Sequence, residues 1–277
     1  MKKSIISIII IFSMIFCGIQ TYAFTINTSE IKQQQYDEWT GNIRIEGEAD
    51  TIFSGEVSVT SSIITAENME TSEMEEHEIL FPSAIGALDE ASKLEGFTYY
   101  VQYYPSWDAL LVSEINGETT DAQTGWVYWV DYVSPMVGAD KFELTSEDSE
   151  VLWGFLFFEN WETESHALKI SIEPDEVKKG EQFTVSITDE LDNPIEDAHL
   201  CIEDTCLLTD ENGQVTTSIA EPGTYQIYAE KEPDSENTYV RTEKIDYNIK
   251  KGKSKNFDIL EHVNIFWRII NHLNKYN

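Results

Sequence analysis

The residues best suited to hold another molecule lie in one stretch, Gly125-Trp126-Val127-Tyr128-Trp129-Val130-Asp131-Tyr132-Val133-Ser134-Pro135-Met136-Val137-Gly138-Ala139-Asp140. Indole and phenol side chains join a broad apolar face to one polar tip, so such a run makes either a buried sheet or a ligand face. If residues 126–133 form a regular strand, Trp126, Tyr128, Val130 and Tyr132 share one side, with Val127, Trp129, Asp131 and Val133 on the other. One side must be buried, so the whole run cannot be a binding surface. The ligand-binding candidates are Tyr132, Pro135 and Met136 in the loop, with one of Trp126/Tyr128 or Trp129 beside them. The residues alone leave open which set faces outward.

Catalytic and metal-binding patterns are absent from the sequence. It has no phosphate loop, no dinucleotide fingerprint and no H-E-x-x-H zinc motif. His77 stands in the run Glu75-Glu76-His77-Glu78, read as a solvated acidic segment. Carboxylate pairs are so frequent that none marks a glycosidase site, and Asp210-Glu211-Asn212 lacks a full calcium-binding loop. The chain is therefore read as a non-enzyme, without catalytic residues, metal ligands or a required cofactor.

Charge narrows the partners. The 277 residues carry a formal net charge of −33, and residues 24–249 hold nearly all the acid. Such a body repels nucleic acid and is read as a solvated, salt-tolerant surface. Residues 1–23 have the plan of a secretory signal: Lys2-Lys3, an apolar run over 5–19, and Thr21-Tyr22-Ala23 at the cut. A secreted or cell-surface location is expected. The mature chain then keeps Cys201 and Cys206, an even count that favours a disulfide.

The stretch needs elements to position it. Residues 36–45 and 52–64 alternate and read as strands, 67–78 as an acidic loop or hairpin tip, and 79–81 as a short strand. Ser83 is an N-cap for a helix whose buried face is Ala84, Ile85, Leu88, Ala91 and Leu94, with Asp89 and Glu90 outward and Gly96 ending it. Strands follow at 97–104, at 110–115 with the hairpin turn Asn116-Gly117, at 126–133, and at 151–158, the last apolar on both sides and so central in its sheet. One amphipathic helix among strands must lie across a sheet. The fold class predicted for 36–160 is thus α+β, a β-grasp-like domain with one helix on a mixed sheet.

Three segments of this region resemble the transcobalamin-like C-terminal domain family, a β-grasp-type module of secreted prokaryotic proteins. They are the helix Ser83-Ala84-Ile85-Gly86-Ala87-Leu88-Asp89-Glu90-Ala91, the hairpin strand Leu110-Leu111-Val112-Ser113-Glu114-Ile115-Asn116-Gly117, and Gly125-Trp126-Val127-Tyr128-Trp129-Val130 with Pro135-Met136-Val137-Gly138-Ala139-Asp140. The family usually continues the aromatic strand with Asn, often Asn-Gly, where this chain has Asp131-Tyr132. In the vertebrate carriers that name the family, a domain like this covers one face of a corrinoid and a helical domain covers the other. The resemblance implies a cobalamin-like corrinoid or another flat hydrophobic ligand. It also implies only half of such a site, because no helical domain is legible here.

Residues 167–249 show about seven short strands with regular turns, the pattern of an all-β immunoglobulin-like sandwich. The segments Thr209-Asp210-Glu211-Asn212-Gly213-Gln214-Val215 and Pro222-Gly223-Thr224-Tyr225 resemble Ig-like and carboxypeptidase-regulatory-like surface modules. If Glu203-Asp204 is a two-residue turn, Cys201 faces Cys206 at about 4.5 Å between α-carbons, within disulfide reach. Residues 250–277 form a basic tail in which Ile259, Leu260, Val263, Phe266, Trp267, Ile270 and Leu273 make one apolar helical stripe. That stripe, with Phe266, Trp267 and Ile270 at its centre, suits a membrane surface or an envelope partner, or folding back onto the acidic body. Two functions follow: a secreted, non-catalytic ligand-binding protein, or a structural or adhesive cell-envelope protein whose aromatics are core.

Overall fold

The computed structural model describes residues 37–160 and 162–252. The signal segment 1–23 and the tail stripe with Phe266, Trp267 and Ile270 lie outside the described residues.

In chain order the strands are β1 (Trp39–Glu46), β2 (Thr51–Val59), β3 (Ser62–Asn68) and β4 (Met74–Ile79). Helix α1 (Ala84–Glu95) follows, then β5 (Tyr99–Tyr104), β6 (Ala109–Ile115), β7 (Glu118–Thr119), β8 (Thr124–Val130) and β9 (Glu150–Phe157). The remainder is β10 (Glu164–Ala167), β11 (Lys169–Glu173), β12 (Val177–Lys178), β13 (Gln182–Thr188), β14 (His199–Ile202), β15 (Thr205–Leu208), β16 (Gln214–Ser218), β17 (Gly223–Glu230), β18 (Asn237–Val240) and β19 (Ile245–Lys250).

The predicted class needs correction. The described residues form nineteen strands and one helix, so the fold is largely all-β and not an α+β β-grasp. The cause is a split in what reads as one strand over 52–64. Residues Thr60 and Ser61 separate β2 from β3, and the two strands enter different sheets. The first sheet has the order β2-β1-β9-β8, and the second β4-β3-β5-β6-β7. Their inner faces and α1 enclose one core that includes Trp39, Ile43, Ile64, Leu88 and Trp153. The acidic segment read as a loop or hairpin tip is a hairpin whose second strand, β4, pairs antiparallel to β3 with Ile64 opposite His77 and begins at Met74, ahead of the expected 79–81. An edge strand with one wet face needs no apolar period.

Local chemistry fixes α1. The Ser83 hydroxyl accepts from Gly86 N at 3.1 Å, and Gly96 closes the helix at φ 85°, a left-handed conformation glycine adopts freely. Two helix assignments change. Leu94 is exposed, and Asp89 is buried, where it accepts a hydrogen bond from the Tyr99 hydroxyl at 2.9 Å and pairs with Lys93. Strand β9 is central in its sheet, between β1 and β8, as its two apolar faces predict.

The second part is a two-sheet sandwich, β11-β13-β16 against β12-β19-β17-β14-β15, around Phe183, Val185, Ile187, Leu200 and Ile227. Residues 201 and 206 are register partners, Ile202 pairs with Thr205, and the Cys201–Cys206 disulfide spans 4.0 Å between α-carbons.

The parts join through β10 and β18, a parallel pair, and through a third cluster of Trp129, Leu152, Leu156, Ala167 and Val240. Beside it lies a buried charge cluster. Arg241 Nε donates to Glu46 Oε2 at 2.7 Å and Nη2 to Gly47 O at 2.9 Å. Arg44 Nη1 donates to Glu46 Oε1 at 3.0 Å and to Arg241 O at 3.1 Å. A buried guanidinium is tolerated only with such saturation of its donors.

Candidate functional site

Strand β8 carries the aromatic stretch, and its two sides go to different places. Trp126, Tyr128 and Val130 enter the core of the first part, while Trp129 packs in the joining cluster with Val127 beside it. Both faces are therefore covered, and what remains open is the edge. β8 ends its sheet, with β9 on one side only. Phe158 N donates to Gln123 O and Asp131 N to Glu150 O, so the antiparallel alternation turns the backbone groups of Trp126 and Tyr128 away from β9.

Two cavities run along this edge, in the gap between β8 and β6. One, of about 240 Å³, is walled by Leu110, Trp126, Tyr128, Pro135 and Val137. The other, of about 770 Å³, is walled by Tyr104, Leu111, Thr120, Gln123, Trp126 and Phe158. Leu111, Trp126 and Val127 line both, which makes them one groove. Its apolar walls come with polar groups at one end: Thr120, Asp121, Gln123, Asn160 and Thr163. The Thr120 hydroxyl is buried with no hydrogen-bond partner among the described residues. Apolar walls with a few polar groups are the usual composition of a small-molecule site.

The two β8 aromatics at the groove, Trp126 and Tyr128, are held by hydrogen bonds. Trp126 Nε1 donates to Glu118 O at 2.9 Å, and its ring lies 5.1 Å from that of Phe155. The Tyr128 hydroxyl donates to Val137 O at 2.7 Å, which ties the 134–139 loop to the strand. Burial first, then the nearby Asp140 carboxylate, push the Tyr128 hydroxyl pKa well above the ordinary phenol value, so it remains a neutral donor.

The strand ends earlier than its pattern predicts. Val130 and Val133 exchange both backbone hydrogen bonds, and Asp131 and Tyr132 make the two-residue turn at φ 47° and 63°. Both central residues of such a turn are left-handed, the geometry Asn-Gly suits. Asp131 offsets its strain by accepting from Ser149 N, Ser149 Oγ and Glu150 N. Tyr132 accepts from Arg44 Nη2 at 3.4 Å and packs against the joining cluster.

Of the sequence candidates, the structure brings Trp126, Tyr128 and Pro135 to the groove. Trp129 is fully buried on the opposite side, and Tyr132 is turned to Arg44. Met136 is 97% exposed and lines neither cavity. Leu111, Thr120, Gln123 and Phe158 were not among the candidates. The alternation of β6 leaves Leu111 out of the core between buried Leu110 and Val112, and that was the one available signal.

Residues 70–156, about a third of the chain, match the family described as Domain of unknown function (DUF4430). The match runs from the turn before β4 to the end of β9, so it includes the walls Leu111, Thr120 and Trp126. No curated protein matches the chain.

Proposed function

We propose that the chain is a non-catalytic ligand-binding protein of the cell exterior, and that the groove between β6 and β8 is its site. The supporting observation is the groove itself: an apolar channel along an open strand edge, with the unpartnered Thr120 hydroxyl in its wall. The ligand class is flat and largely hydrophobic, with hydrogen-bonding substituents at one end. The resemblance of the 83–140 segments to the transcobalamin-like family makes a cobalamin-like corrinoid the first compound to try, with this chain covering one face of it. Export rests on the signal-like segment 1–23, and attachment to a membrane surface or envelope partner on Phe266, Trp267 and Ile270.

The test is an absorbance and calorimetric titration of the full chain with cyanocobalamin and cobinamide. Saturable binding that Leu111→Arg removes is the expected result, since Leu111 is 42% exposed and its enlargement fills the groove without entering the core. Absence of heat and spectral change at high micromolar ligand rejects the corrinoid. Deleting residues 250–277 is expected to release the protein from membranes, and unchanged partitioning rejects the tail's role.

A second reading, a structural or adhesive envelope protein, is favoured by the burial of both faces of β8 and by the charge cluster joining the two parts. It predicts that no small molecule protects the chain from thermal unfolding.

A further inference from the structure

We propose that the chain has a second binding site, a cavity between β4, the β5–β6 turn and the 138–141 corner, which takes a small organic ammonium ion. The cavity measures about 490 Å³ and shares only Leu110 with the groove.

Its chemistry begins in the sequence of β4. The alternation of Glu75, His77 and Ile79 puts His77 on the side that leads to the core, where Ile79 is buried. Its ring packs on that of Tyr103 from β5, with centroids 4.3 Å apart, and its Nε2 is buried with no partner among the described residues. The acidic run thus hides one covered imidazole. Opposite it stands the corner. Lys141 N and Phe142 N donate to Gly138 O, and Ile85 N donates to Ala139 O, so α1 and the corner fix each other. A Cβ on Gly138 would lie 2.6 Å from Asp140 Oδ1, so glycine is what leaves room for that carboxylate.

Asp140 is 4% exposed. One oxygen pairs with Lys141 Nζ at 3.2 Å, and the other, Oδ1, has no hydrogen-bond partner among the described residues. A buried carboxylate oxygen without a donor is costly, and it can only accept, so the missing partner must carry N–H or O–H. Charge makes that partner a cation. Asp140 and Asp108 face the single ammonium of Lys141, 3.1 Å from Asp108, and Glu76 and Glu78 add negative charge at the rim. The walls are Tyr103, His77, Phe81 and Leu110, and aromatic faces favour organic cations. Among the described residues no group of three or more His, Cys, Asp or Glu is arranged to hold a metal ion, which turns the assignment from a metal to an ammonium on a short aromatic or alkyl body. Lys141 is the internal competitor for the same carboxylates.

The probes are benzylammonium, benzyl alcohol and benzoate, titrated into the full chain by calorimetry and ligand-observed NMR. Benzylammonium is expected to bind, benzyl alcohol more weakly, and benzoate not at all. Lys141→Met removes the competitor and should tighten benzylammonium about tenfold, a change of about 1.4 kcal/mol. Asp140→Asn should weaken it at least as much while thermal unfolding reports on the fold. If Asp140→Asn does not fold, His77→Leu, which removes both the aromatic face and Nε2, takes its place and should also weaken binding. Leu111→Arg should leave benzylammonium unaffected, and loss of binding there would move the ligand to the groove and overturn the proposal. It also fails if neither wild type nor Lys141→Met binds at millimolar ligand, if benzyl alcohol or benzoate binds as well as the amine, or if Lys141→Met does not tighten it.

Discussion

The two parts of the molecule treat a strand edge in opposite ways. In the second part, β14 sits inside its sheet between β15 and β17, and the edge hairpin β14–β15 is stapled across its register by Cys201–Cys206. In the first part, β8 is left at the edge of its sheet, with a groove along it and no covalent closure. The outer edge of β15 is open as well, but that strand is pinned covalently to its sheet, and such a crosslink is a stability device. An edge left open beside apolar walls and an unpartnered hydroxyl is where a ligand gains the most. Under the proposed function, the first part is the recognising half and the second part its support.

The largest effect that would break this division comes from the charge cluster shared by both parts. Glu46→Ala leaves Arg44 and Arg241 buried without their common carboxylate, and stability should fall by about 3–5 kcal/mol in urea unfolding. A loss below about 1 kcal/mol would mean the parts do not depend on the cluster. Next is Gly154→Ala. The added Cβ would stand 2.7 Å from Val240 Cγ2, and overpacking should cost about 1–3 kcal/mol, partly restored by adding Val240→Ala. Removing the disulfide by Cys201→Ser with Cys206→Ser should cost roughly 1–2 kcal/mol, less than a long-loop crosslink. This change should leave groove binding intact, and a loss of ligand affinity would blur the proposed division of labour.

The smallest effect is a pH dependence at the β10–β18 link. His166 Nδ1 lies 3.1 Å from Glu190, and that hydrogen bond holds the imidazole pKa above its ordinary 6.5 against the opposing effect of burial. Burial pushes Glu190 up, but hydrogen bonds led by His166 more than offset it and leave its pKa below 4.5. His166 thus adds stability that is complete below pH 6.5 and is lost as pH rises through its folded value. Glu190 adds stability present above pH 4.5 and lost as pH falls through its lowered folded value. Thermal midpoints should therefore fall above pH 6.5, and His166→Gln should flatten that slope.

Much of this was legible in the sequence where signals are local. Ser83 and Gly96 bound the helix, Asn116-Gly117 turns a hairpin, and the Cys201–Cys206 spacing fits a two-residue turn. What was not legible depends on contacts far apart in the chain. In β1, Ile43-Arg44-Ile45-Glu46 alternates like a half-exposed strand, yet its charged side is buried beneath Arg241. Thr60-Ser61 carries no Gly or Pro, so the passage from one sheet to the next left no mark, and the β-grasp assignment failed there. The groove escaped notice because an edge is a property of sheet order, and Leu111 and Thr120 become neighbours of Trp126 only once the edge strand β8 lies beside β6, which the two-residue β7 flanks only at Glu114 and Ile115.

The contact of Gly154 with Val240 has a consequence for how this protein can diverge. The two positions lie 86 residues apart yet share one van der Waals space. A descendant gains a side chain at 154 at least cost after shrinking the one at 240, so the two changes are coupled. A first part transplanted from another lineage would fit this second part best if it brought a glycine at the matching place, or met a smaller side chain at 240.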